Sequence, residues 1–163
     1  MKLGVFIAST LLLVATSAFA QGAANESAAA KASAAPEGHA GFIKSVQGTV
    51  RVSGPSGARR QLKSGDTVAS ADHIETDANS GASVVLRDGT MIVVGPSSHL
   101  DLKQFSFDAT TQEGGLFVSL LRGSMRMVTG MLGKKPESVR VDTQTATIGI
   151  RGTDFIVTAD GRI

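Results

Sequence analysis

From residue 41 onward the chain is written in period two. Val50-Arg51-Val52, Ala82-Ser83-Val84, Leu100-Asp101-Leu102-Lys103 and Val139-Arg140-Val141-Asp142 each alternate apolar and polar side chains. Successive side chains of a strand point to opposite faces, so this pattern makes half-buried strands. No segment after residue 41 keeps a 3.6-residue period through two turns. The nearest, residues 116–121, is short and is followed by Gly123. Met91-Ile92-Val93-Val94 is apolar throughout and is predicted as a strand buried on both faces. Turn formers separate the strands: Gly54-Pro55-Ser56-Gly57, Ser64-Gly65-Asp66, Asp88-Gly89 and Gly95-Pro96. Asp88-Gly89, set between Val84-Val85-Leu86 and Met91-Ile92-Val93, predicts a hairpin with positive φ at both residues, a type I′ turn. The expected fold is all-β: a solenoid-like or roll-like single domain of short strands over residues 41–163.

A small device recurs. Gly48-Thr49, Gly89-Thr90, Gly123-Ser124 and Gly152-Thr153 each put a glycine and a hydroxyl residue just ahead of a strand. The glycines are separated by 41, 34 and 29 residues, which excludes a strict repeat. Glycine suits a bend where backbones come close, and Thr favours the strand that follows. Arg151 and Asp154 flank the last copy. An Arg beside a carboxylate pairs readily and bidentately, so these two are expected to lock that bend to each other.

The N-terminus has a different character. Lys2, an apolar run over residues 3–14 and Ala18-Phe19-Ala20 together have the form of a secretory signal peptide, with cleavage expected between Ala20 and Gln21. The run is shorter than the roughly 20 residues a spanning helix needs, and no second apolar segment of that length follows, so no transmembrane segment is expected in the mature chain. Residues 21–40 are Ala-rich with few large apolar side chains, and are expected to be a flexible leader. Cysteine is absent, which suits an oxidising compartment: the expected location is the periplasm or outside the cell. The net charge of +2, lower by one if Lys2 leaves with the leader, is too balanced for a nucleic-acid surface.

The chemistry-bearing residues do not assemble in sequence. His39, His73 and His99 have no paired-ligand spacing. Asp72, Glu75 and Asp77 surround His73, and Asp66, Asp72 and Asp77 are the acids nearest a calcium pattern, but there is no EF-hand loop. They read as a polar strand edge and its loops. No G-x-S-x-G elbow is present, and Gly114-Gly115 lacks the Lys of a phosphate loop. Arg59-Arg60 with Lys63, and Lys134-Lys135-Pro136, read as solvated turns. Met125 and Met127 stand at strand period and are expected in the core. The expectation is no catalytic residue, no cofactor and no metal: not an enzyme.

Taken in order, several segments carry a resemblance. They are Gly48-Thr49-Val50, Leu62-Lys63-Ser64-Gly65-Asp66, Ile74-Glu75-Thr76 with Ser80 and Leu86-Arg87-Asp88-Gly89-Thr90, and finally residues 146–155, ATIGIRGTDF. Over residues 42–158 the chain resembles the FecR protein domain, the periplasmic domain of ferric-citrate-type regulators. The resemblance implies an all-β periplasmic module. In iron-uptake regulators this module receives a signal from the plug-side domain of an outer-membrane receptor and controls a cytoplasmic sigma factor. The anti-sigma segment and membrane helix of those regulators have no counterpart in the chain as given, so a stand-alone exported domain is expected. Its partner would be an envelope protein, receptor or regulator, or else a cell-wall polymer. The residues carried over are Gly48, Thr49, Gly65, Asp66, Asp88, Gly89, Thr90, Arg151, Gly152, Thr153, Asp154 and Phe155, all expected to be structural. The last strand, Phe155-Ile156-Val157-Thr158, is followed by a turn signal at Asp160-Gly161 and no return strand. It is expected either to mark a shortened copy or to be an open edge able to accept a partner's strand.

Overall fold

The computed structural model describes residues 38–152 and 154–161. The expected signal peptide, its cleavage site at Ala20 and Gln21, and most of the expected leader lie outside the described residues, as does Thr153. Twelve strands follow one another: β1 (His39–Gln47), β2 (Val50–Ser53), β3 (Arg59–Gln61), β4 (Thr67–Ala69), β5 (Asp72–Thr76), β6 (Gly81–Leu86), β7 (Met91–Val94), β8 (His99–Asp108), β9 (Glu113–Val128), β10 (Val139–Thr143), β11 (Thr147–Ile150) and β12 (Asp154–Ala159). A single 3-10 turn at Leu132–Lys134 is the one helical element among the described residues. The all-β expectation holds. β1 begins at His39, so His39 and Ala40, read as the end of the leader, belong to the first strand.

One curled sheet carries all twelve strands, and β9 is its spine. The first half of β9 pairs with β8 and, in parallel, with β10; the second half pairs with β7 and β12. From there the sheet runs outward through β8-β5-β2-β3 on one side and β7-β6-β1-β4 on the other. Every pairing except β10 with β9 is antiparallel. This is the roll-like form. The two halves share one core. Ile43, Val84, Ile92, Val94, Met125 and Met127 come from one half, and Val50, Ile74, Leu100, Val118, Leu120 and Val141 from the other. Each belongs to a period-two series whose alternate members face outward, as the sequence pattern requires. Met125 and Met127 are buried as expected, at 1% and 0% exposure. Residues 116–121 lie inside β9, where Leu116, Val118 and Leu120 take the buried positions of a strand.

The bend that turns β9 from one half to the other is at Gly123. Its φ is +91°, and a Cβ there would overlap Ser98 Oγ and stand 2.6 Å from Ser98 Cα. Only glycine fits both demands.

Two expectations change. The β6–β7 hairpin forms, but positive φ appears only at Gly89 (+85°). The Gly89 N–H donates to Leu86 C=O at 3.0 Å and the Leu86 N–H to Thr90 C=O at 2.8 Å. The loop therefore has three residues and closes through a left-handed Gly, rather than two residues in a type I′ turn. β7 is not buried on both faces either. Ile92 and Val94 point into the core, while Val93 is 40% exposed, because no layer covers that side of the sheet among the described residues.

Candidate functional site

The motif residues divide into ties between strands. At the first, Gly48 has φ +70° and a Cβ there would overlap Ser80 Oγ; that hydroxyl oxygen accepts the Thr49 N–H at 2.9 Å. The same arrangement recurs at Gly123-Ser124, where Ser98 Oγ accepts the Ser124 N–H at 3.0 Å. At the second tie, Asp66 accepts the Lys63 N–H at 2.9 Å, while Gly65 and Asp66 bond to Ile43 of β1 through their backbones, both at 2.8 Å. The loop is pinned to the strand beside it.

The other two motif segments converge. Asp88 is 1% exposed; one carboxylate oxygen accepts the Thr90 N–H at 3.0 Å and the other the Thr90 hydroxyl at 2.6 Å. Thr90 Oγ1 in turn accepts the Gly130 N–H at 2.9 Å, and Asp88 C=O accepts the Met131 N–H at 2.9 Å. A Cβ on Gly130 would overlap Asp88 C=O. One residue earlier, the Thr129 hydroxyl donates to Gly152 C=O. Residues 129–131 thus join the Asp88-Gly89-Thr90 turn to the start of β12. Phe155 is half-buried and packs against the core.

Asp154 pairs, but not with Arg151. Arg126 Nε and Nη2 donate to the two Asp154 oxygens at 3.0 and 2.6 Å. The expected Arg151–Asp154 lock is replaced because Asp154 and Arg126 project from the same face of paired strands, Asp154 opposite Val128 and Ile156 opposite Arg126. Arg151 is exposed and has no side-chain bond among the described residues. The Arg126 hydrogen bonds and charge hold the Asp154 carboxyl below the usual carboxylate range, and Asp154 holds the Arg126 guanidinium above its own. Gly152 also departs from the recurrent device. Its φ is not left-handed, and a Cβ would meet nothing.

The polar residues around His73 form a ladder on the outer face of the first half of the sheet. Burial would push the Asp101 carboxyl up, but Lys103 at 2.8 Å and His73 at 2.6 Å outweigh it and hold it below the usual range. Glu75 lies 3.9 Å from both Arg59 and His99, and Arg122 is 3.0 Å from His99 Nε2. Arg51 holds Asp77 bidentately at 2.7 and 3.1 Å. Asp101, Glu75 and Asp77 each have a cation in reach, and among the described residues no three His, Asp or Glu side chains gather as metal ligands. Asp72 caps the Ala69 N–H at 2.9 Å instead. His73 presents Nδ1 to Asp101, but no hydroxyl bonds its other ring nitrogen among the described residues, so no nucleophile is lined up with it.

Among the described residues β3, β4, β11 and β12 each lack a neighbour on one side. β12 pairs with β9 along its whole length without a register break, and its other side has no strand among the described residues. Beside it, the outer face of β1-β6-β7-β9-β12 exposes Phe42 at 48%, Val93 at 40% and Ile156 at 70%. At one end of this face is a groove of about 660 Å3 lined by Ser45, Gln47, Asn79, Ser83, Val93 and Pro96, without a charged group. The open edge of the last strand is expected from the sequence; the apolar outer face is missed because Met91-Ile92-Val93-Val94 reads as buried on both faces. Thr129-Gly130 and Arg126 were missed because their partners lie 23 to 40 residues away.

Fold and contacts define a class: an all-β module in which most motif residues tie its own strands together and in which, among the described residues, β3, β4, β11 and β12 each lack a neighbour on one side and the outer face of β1-β6-β7-β9-β12 is apolar and uncovered. The family model described as FecR protein matches residues 72–163, more than half of the sequence, and the chain belongs to that family. Residues 42–71, which also carried the resemblance, precede the match yet lie in the same sheet. No curated protein matches the chain. A solved structure described as "Cell surface anchoring domain" is similar at 30% identity over 39% of this chain and 83% of that one, with a TM-score of 0.38. No helix among the described residues is long and apolar enough to cross a membrane.

Proposed function

We propose that this chain is an exported, non-enzymatic FecR-family module of the cell envelope that binds another envelope protein, a receptor or a regulator, by taking up an extended strand along β12. The observation that carries this reading is the open side of β12. An unpaired edge presents a row of N–H and C=O groups to any incoming strand, and natural proteins blunt such edges with Lys, Pro, bulges or brevity. The other strands free on one side are shorter: β3 and β4 have three residues each, with two arginines in β3, and β11 has four. β12 has six residues, Asp-Phe-Ile-Val-Thr-Ala, with neither Lys nor Pro and no bulge. Gly48, Asp66, Asp88, Thr90 and Asp154 are occupied in holding the fold, which supports a binding rather than a catalytic role. The periplasm, or the space outside the cell, is the compartment that the leader and the lack of cysteine favour.

A second reading, a structural or adhesion module for cell-wall or surface polysaccharide, is favoured by the uncharged groove and its hydroxyl and amide side chains. A crosslinked pull-down from the native envelope with the tagged protein separates the two. The exposed edge position Thr158, changed to Lys, guards β12 without touching the core. One envelope protein recovered by the wild type and at least tenfold depleted with Thr158→Lys is the expected result. Equal recovery by both, or recovery of cell-wall fragments alone, refutes strand uptake.

A further inference from the structure

The outer face of β1-β6-β7-β9-β12 is built from two cross-strand rows. Pairing places Phe42, Val85, Met91, Val128 and Asp154 in one row and Ser45, Ser83, Val93, Arg126 and Ile156 in the next. An antiparallel sheet with one solvated face normally turns polar side chains outward. Here six of ten outward positions are apolar, and three of the four large exposed hydrophobics of the described chain lie among them. The bulge at Lys44 and Ser45, both opposite Ser83, sets Lys44 on the rim of the same side. The third row is floored by Gly81 and Gly95. A Cβ on Gly81 would stand 2.9 Å from Val94 C=O and one on Gly95 would overlap Ser124 Oγ, so the groove there is bare backbone by steric necessity.

Size and charge identify the occupant. Five strands about 4.8 Å apart, four to five residues deep at about 3.4 Å each, make a face roughly 20–25 Å by 15 Å. That is a flat footprint of about 300–375 Å2, to which side-chain relief and the groove rim add; it falls toward the low end of the roughly 800 Å2 per partner of a standard interface, the size of a weak, concentration-dependent dimer. An isologous contact sets a surface against its own copy, so a net charge near the axis meets the same charge. The only charges in the two rows are Arg126 and Asp154, and they neutralise each other bidentately within the face. Such a face asks no complementary charge of its partner. It can pack on an identical twisted face at about −30°, as the two layers of a sandwich do.

We propose that this face is the contact between two copies of the chain. The two-fold axis runs along β7, the central strand of the five, near Met91 and Val93. β1 of one copy then lies over β12 of the other, setting Phe42 toward the partner subunit's Ile156. The free edge of β12 stays outside this contact, so the assignment stands apart from strand uptake.

Sedimentation of the full-length exported protein over a concentration series is the test, with Val93→Lys and Phe42→Glu as variants at exposed positions and circular dichroism as the check of folding. The expected result is a concentration-dependent dimer whose dissociation constant rises at least tenfold in both variants. A dimer lost with Thr158→Lys but kept with Val93→Lys is edge pairing through β12, and overturns the assignment. A monomer at every concentration overturns it as well, whether the face is then covered by the chain's own residues 21–37, by a different protein or by lipid vesicles that bind wild type and not Val93→Lys.

Discussion

Asp88 and Arg151, both read as structural, part company in the fold. Asp88 reads as a hairpin-turn residue; it is 1% exposed and takes two hydrogen bonds from Thr90. Removing it leaves the Thr90 N–H and hydroxyl without their acceptor in a dry site, at a cost of about 1–3 kcal/mol. Arg151 reads as a lock and makes no side-chain bond among the described residues. In thermal melts, Asp88→Ala is expected to lower Tm by roughly 5–15 °C and Arg151→Ala to change it by no more than about 1 °C. A large drop for Arg151→Ala would place its partner among residues such as Thr153 that the structure does not describe. The Arg126–Asp154 pair that replaces the expected lock is bidentate but half-exposed, so its contribution is small, as for other surface pairs, and weakens with salt. Which acid an Arg meets depends on strand register, and register is set by contacts between distant residues; spacing along the chain offers Arg151 and hides Arg126.

At the level of strands, the period-two pattern was enough to place β2, β6, β8 and β10, because each buries one face and the alternation states which, while the apolar run over Met91–Val94 placed β7. It misjudged β7, since a run of four apolar residues looks the same whether its second face meets protein or solvent. The recurring Gly-Thr/Ser device was legible as a bend. Three of its four copies are left-handed glycines, and in two a serine from a neighbouring strand or turn caps the next N–H. The fourth, Gly152, shares the letters but not the geometry. The two kinds of position separate under substitution. Gly123→Ala forces a Cβ into Ser98 at positive φ and is expected to lower Tm by more than about 10 °C or to prevent folding. Gly152→Ala meets open space and, by narrowing the unfolded ensemble, is expected to leave Tm within about 3 °C of the wild type or slightly above it. Equal effects would mean that the copies are alike and that the bend at Gly123 is not what turns β9 between the halves.

Across the whole molecule, the curled sheet buries one continuous core and leaves the outer side of β1-β6-β7-β9-β12 and the free side of β12 uncovered. The family resemblance read from residues 42–158 and the family match over residues 72–163 agree on what the module is, and neither says what it holds. That part was legible only in outline, as a last strand without a return, because an open edge is defined by a neighbour that is missing rather than by any residue present. The account rests on that edge being free in the isolated protein. Amide hydrogen exchange across residues 154–159 measures it directly. One alternating set of N–H groups, those directed at β9, is expected to be protected, while the set between them exchanges orders of magnitude faster and becomes protected only when a partner strand is bound. Uniform protection of both sets in the isolated protein would mean that β12 is already paired, and strand uptake would have to be given up.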